Sequence, residues 1–94
     1  MEINKNHVDG KEKGKVVLYA LSTCIWCRKT KMLLNELGVA YDFVDVDLLD
    51  SEEQDKIVEI INKFNPTGGF PTMIINDKDS IRGFDERKIK EVLG

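Results

Sequence analysis

Hydrophobic and polar residues along the chain follow two spacings, one typical of strands and one typical of helices. Two runs rich in β-branched and aromatic residues, at 16–21 and 41–47, predict buried β-strands. Between them, apolar positions recur at three- and four-residue steps, which predicts one amphipathic helix that begins after Thr23 as N-cap and ends before Gly38. Strand, helix and strand within about thirty residues predict a right-handed βαβ unit with parallel strands.

The second half of the chain alternates in the same way. Ser51 to Gln54 has the form of a capping box, and the helix that it opens carries an apolar stripe ending at Phe64. A strand at 70–75, a turn at 76–79 and a short return strand at 80–82 follow, and Asp85 is placed as N-cap of a last helix. The pattern predicts an α/β domain at 15–94 with the order β-α-β-α-β-β-α.

Residues 1–14 are polar and are expected to form a tail ahead of this domain. His7, the single histidine, is expected to be an exposed residue of this tail. The segment lacks the apolar stretch of a secretory signal, and no run in the chain approaches the roughly 20 apolar residues of a membrane span. The net charge of -3, without a separate basic stripe, gives no reason to expect nucleic acid. We therefore expect a monomer in the reducing cytoplasm.

Both cysteines of the chain lie in one short motif, Cys24-Ile25-Trp26-Cys27, between the first predicted strand and its helix. Unsatisfied backbone N–H groups and the macrodipole at a helix start stabilise a thiolate, which is the form of cysteine that attacks disulfides. Cys27 follows three residues later, and helical geometry brings it to the same face as Cys24. The motif predicts a redox-active pair.

Metal binding is the main alternative for this motif. Two cysteines supply half of a zinc site, and the only other soft ligand is His7, far away in the polar segment. A site shared by four thiolates from two chains stays open, but we expect no metal or cofactor to be bound. A structural disulfide is disfavoured, because the loop is short and the compartment is reducing.

The motifs resemble those of the glutaredoxin family over roughly residues 15 to 94. Cys24-Ile25-Trp26-Cys27 stands where that family has Cys-Pro-Tyr-Cys, and Phe70-Pro71-Thr72 is similar to its Val-Pro segment. Gly83-Phe84-Asp85 falls where the family has Gly-Gly-x-Asp before the last helix. One Cys-x-x-Cys is a weak signal, whereas three motifs in order at fitting separations are a specific one.

This resemblance implies a thioredoxin-like fold, with a four-stranded mixed sheet in the order 2-1-3-4 and three flanking helices. It also implies a cis proline at Pro71, although an edge strand that begins with a trans proline would explain the residue as well. The implied substrate-binding residues are Trp26, Phe70, Pro71, Gly83, Phe84 and Asp85. Trp26 can instead be partly buried packing, and Asp85 can act as helix cap, as ligand contact or as both.

The implied activity is thiol–disulfide exchange on disulfide-containing proteins or small thiols, with Cys24 attacking and Cys27 resolving. Glutathione or a reductase would supply the electrons. The family usually has a lysine three residues before the first cysteine, where it pairs with a carboxylate of glutathione, but Leu21 stands there in this chain. Two alternatives stay open: a redoxin that serves an enzyme such as ribonucleotide reductase, and a dimeric iron–sulfur carrier that visible absorbance would reveal.

Overall fold

A computed structural model describes residues 6–66 and 68–94. Each element predicted from the sequence is present, with ends shifted by a few residues. In chain order the elements are β1 (Asn6–Val8), β2 (Val16–Ala20), α1 (Ile25–Leu37), β3 (Tyr41–Asp45), a 3-10 turn (Val46–Leu48), α2 (Ser51–Phe64), β4 (Thr72–Ile75), β5 (Asp79–Arg82) and α3 (Glu86–Leu93). The chain has a thioredoxin-like α/β fold with three helices.

The sheet has the strand order β1-β3-β2-β4-β5. β2 and β3 are parallel, as the βαβ prediction requires, and the other neighbouring pairs are antiparallel. The four strands β2 to β5 reproduce the order 2-1-3-4 that the resemblance implied. The prediction of a four-stranded sheet was nevertheless wrong, because β1 adds a fifth strand.

The extra strand comes from the segment that was expected to be a tail. Asn6, His7 and Val8 pair with the edge of β3, and Lys11 forms a further bridge to Val39. Backbone hydrogen bonds join these residues to the sheet, and only Val8 of β1 packs against the core. One apolar residue is too few to make the strand visible in the hydrophobic pattern. Residues 1–5 of the expected tail lie outside the described residues, and the division into a tail and a domain stays a prediction.

The core has two layers, one on each face of the sheet. Successive residues of β2 point to opposite faces, so Leu18 packs with Leu34 of α1 and Ile89 of α3, while Val17 packs with Ile57 of α2. All of these side chains are buried. The outcome is that α1, which carries the cysteines, is held against the sheet beside α3 and away from α2.

The helix ends agree with the prediction at Gly38 and Asp85 and differ from it at the N-caps of α1 and α2. Gly38 ends α1 in the left-handed conformation, with φ of 69°, and Asp85 caps α3 by accepting from the backbone N–H of Lys88 at 3.1 Å. The cap of α2 was wrongly assigned to Ser51, since Asp50 accepts from the Glu53 N–H at 2.8 Å. Serine and aspartate are equally good caps, and sequence spacing alone does not separate neighbouring choices. No helix within 6–66 or 68–94 has the length and apolar character to cross a bilayer.

Candidate active site

Cys24 is the N-cap residue of α1, and its extended backbone begins the helix (φ -83°, ψ 120°). Its Sγ accepts a hydrogen bond from the backbone N–H of Cys27 at 3.3 Å. Thr23 was predicted as the cap, one position too early. Because Cys24 is itself the cap, its sulfur lies where the start of α1 offers unsatisfied backbone N–H groups.

The two sulfurs differ in surroundings and therefore in acidity. Desolvation raises the pKa of Cys24, but hydrogen bonds from the Cys27 thiol and from the backbone N–H groups of Cys27 and Trp26 outweigh it and lower the pKa below its ordinary value. Cys27 is only 1% exposed, and burial together with its hydrogen bond to Cys24 raises its pKa to about 12. The outer sulfur is thus prepared to attack, and the inner one is held as a thiol.

This difference predicts the order in which the two thiols react as the pH rises. The alkylation rate of Cys24 should rise at a lower pH than that of an ordinary cysteine, because its lowered pKa supplies thiolate earlier. Cys27 should stay protected throughout the neutral range. Mass spectrometry after treatment with limiting iodoacetamide at a series of pH values measures both. If the alkylation rate of Cys24 rises only at the same pH as in the unfolded chain, or at a higher pH, Cys24 is not the activated thiol.

An aromatic surface lies beside the sulfurs. Trp26 is 52% exposed and stacks on Phe84, with ring centroids 6.0 Å apart, and the Lys29 ammonium lies 4.6 Å from the centre of the Trp26 ring. Half of the indole therefore stays accessible while one face packs against a neighbour. The sequence allowed two interpretations of Trp26, an exposed apolar surface or partly buried packing, and the structure shows both.

Phe70 and Pro71 lie on the other side of this surface. The Phe70–Pro71 peptide bond is cis, and the Pro71 carbonyl accepts from the N–H of Gly83 at 2.8 Å. Gly83 has a φ of 73°, a conformation that L side chains rarely adopt. The five predicted residues Trp26, Phe70, Pro71, Gly83 and Phe84 line one open pocket of about 250 Å³.

Asp85 is exposed and follows Phe84 at the start of α3. Its carboxylate caps the helix, which was one of its two expected roles. A contact between Asp85 and a bound substrate stays a prediction. The structure thus brings the predicted residues to one end of the sheet, where the chain leaves β2 for α1 and enters β4.

Two polar contacts near the motif were not predicted. Asp47 accepts from both the backbone N–H of Ser22, at 2.8 Å, and its hydroxyl, which fixes the loop two residues before Cys24. Those hydrogen bonds also lower the pKa of Asp47. Lys31, one turn after Cys27, forms an ion pair with Asp45 at 2.9 Å. The only signal in the sequence was Asp45 itself, a charged residue inside an otherwise apolar strand.

A larger pocket of about 450 Å³ lies elsewhere, and neither cysteine lines it. It includes His7, whose Nδ1 lies 2.7 Å from Asp42 Oδ1, and this hydrogen bond raises the pKa of the imidazole. His7 is exposed, as expected, but it belongs to β1 and not to a free tail. Across 6–66 and 68–94, no group of three His, Cys, Asp or Glu side chains is arranged to hold a metal ion.

Comparison with known proteins gives one consistent family. The sequence profile named Glutaredoxin matches residues 16–79. The structure of a glutaredoxin from Methanosarcina mazei superposes with a TM-score of 0.91 at 52% identity, over 99% of this chain and 90% of that one. Methanoredoxin of Methanosarcina acetivorans gives a TM-score of 0.91 at 49% identity, over 98% of this chain and 96% of that one.

Curated sequences give weaker matches of the same kind. A glutaredoxin-like 8.6 kDa protein in the rubredoxin operon of Clostridium pasteurianum is 31% identical over 83% of this chain and 96% of its own length. The matches to rickettsial glutaredoxins are shorter and cover 43% to 46% of the length of those proteins.

Proposed function

The chain belongs to the glutaredoxin family, and we propose that it is a thiol–disulfide oxidoreductase that reduces disulfides of proteins or small thiols. The observation that carries this proposal is the placement of the two cysteines: Cys24 caps α1 with its Sγ accepting from the Cys27 N–H, and Cys27 is buried behind it. The pKa of Cys24 is lowered and that of Cys27 is raised, in keeping with this placement. One sulfur is accessible and acidic, and the other is buried beside it. Dithiol exchange needs this division of roles.

The reaction proceeds in two exchanges. The Cys24 thiolate attacks one sulfur of the substrate disulfide, the substrate S–S bond breaks, and one substrate thiolate leaves. Cys27 then loses its proton and attacks Cys24 Sγ, which forms the Cys24–Cys27 disulfide and releases the second substrate thiolate. Two electrons pass from the protein to the substrate, and an external thiol donor restores the dithiol.

The open pocket between Trp26 and Pro71 is the proposed place for the chain that flanks the substrate disulfide. The rings of Trp26, Phe70 and Phe84 line it, and such aromatic surfaces can pack against many different side chains. A protein substrate is thereby favoured over one specific small molecule. The proposed compartment is the cytoplasm, where such a dithiol is kept reduced.

A coupled assay tests the activity and its donor together. Reduction of a mixed disulfide is followed with glutathione and glutathione reductase, and in parallel with thioredoxin reductase, at equal protein concentration. Turnover with either donor supports the oxidoreductase, and the faster one identifies its reductant. The absence of turnover with both donors and with dithiothreitol would reject the activity.

The redoxin-type donor remains a second candidate because of Leu21. This side chain is half-buried and packs with the apolar layer on the α2 face, so it offers no charge to a carboxylate of glutathione. A partly exposed ion pair contributes up to about 1 kcal/mol, and its loss weakens binding several-fold. Weaker binding of glutathione makes it a poorer electron donor and favours a protein reductase in that role.

We predict that Leu21→Lys accelerates reduction by glutathione several-fold and leaves reduction by dithiothreitol nearly unchanged. The added ammonium offers a partner to the carboxylates of glutathione, whereas dithiothreitol carries none. Leu21→Met, which is similar in size and uncharged, controls for the lost leucine packing. Equal acceleration by both reductants would show that the charge acts on Cys24, and no acceleration by either would favour the protein reductase.

A further inference from the structure

The second exchange poses a problem that the cysteines alone do not solve. Cys27 must become a thiolate to attack Cys24, yet burial is the largest cause that raises its pKa. Once Cys24 is bonded to substrate, its charge no longer opposes ionisation of Cys27, but the burial remains. A fixed positive charge near Cys27 would offset part of this cost.

Lys31 is placed to supply that charge. It lies four residues after Cys27 in α1, and residues at this spacing are neighbours on one face of a helix. Its ammonium lies 2.9 Å from Asp45 Oδ1 and 4.2 Å from the centre of the Phe43 ring. Phe43 in turn packs against the apolar cluster that contains Cys27. Two contacts with β3 thus fix the position of the Lys31 ammonium.

This ion pair differs from the others in the described part of the chain. Its two side chains are 24% and 15% exposed, whereas both partners of every other pair are more exposed than this lysine. Screening by water weakens surface pairs, and a half-buried charge keeps more of its effect on its neighbours. The Lys31 charge also acts on Cys27 in the direction that favours its thiolate.

We propose that the Lys31 ammonium, positioned by Asp45, stabilises the Cys27 thiolate in the step in which Cys27 attacks Cys24. In this step Cys27 loses its proton to solvent, the Cys27–Cys24 bond forms and the bond between Cys24 and substrate breaks. The substrate leaves as a thiolate, which takes up a proton from solvent only where its own pKa lies above the ambient pH. Other groups act on Cys27: the backbone at Leu21 favours the thiolate, and a free Cys24 thiolate opposes it. The role rests on the proposed dithiol exchange.

A chromogenic disulfide separates the two exchanges. One equivalent of dithiobis(nitrobenzoate) reacts first with Cys24 and releases one coloured thiolate, and attack by Cys27 then releases the second. The first phase tests the proposed function, and the second phase tests the role of Lys31. Both are followed in the 94-residue chain by stopped-flow absorbance across a series of pH values.

Lys31→Met and Lys31→Gln are expected to slow the second phase about tenfold near neutral pH, the change that one pKa unit makes in the thiolate fraction. The pH dependence of the second phase should shift to higher pH, while the rate of the first phase stays nearly unchanged. Lys31→Arg should restore both the rate and the profile, because it keeps the charge. Glutamine can still hydrogen-bond to Asp45, so it separates loss of charge from loss of the contact.

Lys56→Met is the matched control, since it removes an exposed ion pair with Glu52 on α2. It should leave both phases unchanged. The role of Lys31 is overturned if the rate of the second phase in both uncharged variants stays within about twofold of the rate in the parent protein. It is also overturned if the second phase is slower but its pH dependence does not shift. Absence of the first phase in the parent protein would instead reject dithiol exchange, and the role of Lys31 with it.

Discussion

Cys24→Ser should reduce disulfide exchange to the uncatalysed background. Cys24 carries the lowered pKa and is only partly buried, whereas Cys27, the other cysteine of the chain, is 1% exposed. A serine hydroxyl is not ionised at neutral pH and does not replace the thiolate as nucleophile. The coupled assay measures this loss directly.

Cys27→Ser is the matched variant, and its expected result differs. Attack by Cys24 should remain, but no internal thiol can release the substrate, so a mixed disulfide with a protein substrate accumulates. Non-reducing gel electrophoresis followed by mass spectrometry detects it. If Cys27 is the residue that a limiting alkylating reagent modifies first, the roles are reversed.

Leu34→Ala should lower the free energy of unfolding by about 2–5 kcal/mol. Leu34 is fully buried and packs α1 against the sheet, so its truncation leaves a cavity between the two. Domains of this size are stable by roughly 5–15 kcal/mol, so the loss is a large fraction of the total. Urea unfolding followed by circular dichroism measures it, and the melting temperature should fall by about 10 °C or more.

Leu48→Ala provides the comparison for this variant. Leu48 is 71% exposed in the 3-10 turn, so the same truncation should change stability by no more than about 0.5 kcal/mol. Equal losses in the two variants would show that Leu34 does not lie in a closely packed core.

The βαβ unit, α2, β4 and α3 were predictable because each hides an apolar face, whereas β5 buries only Ile81 and was predicted from the turn before it. β2 is buried along its whole length, and the apolar positions of α1 and α2 recur with the helical period. β1 contributes only the partly buried Val8 to the core, and its three residues are joined to β3 by backbone pairing. An edge strand of this kind leaves little trace in the hydrophobic pattern.

At the candidate site, residue types were predictable and contacts were not. The Cys-x-x-Cys motif and its place at a helix start follow from local sequence, although the cap is Cys24 and not Thr23. Lys31 and Asp45 are 14 residues apart, and their contact depends on how α1 lies over β3. Ser22 and Asp47 meet because parallel strands bring their carboxyl ends together. Such pairs need the topology before they can be recognised.

The position of Trp26 gives this protein an optical signal of its own. Trp26 is the single tryptophan of the chain, and it lies between the two cysteines in sequence and against Phe84 in space. Thiolates and disulfides quench indole emission to different extents, so the fluorescence of the unlabelled protein would follow its redox cycle. No other indole contributes background. The same ring that lines the pocket therefore allows each reduction and oxidation to be timed in solution without a dye.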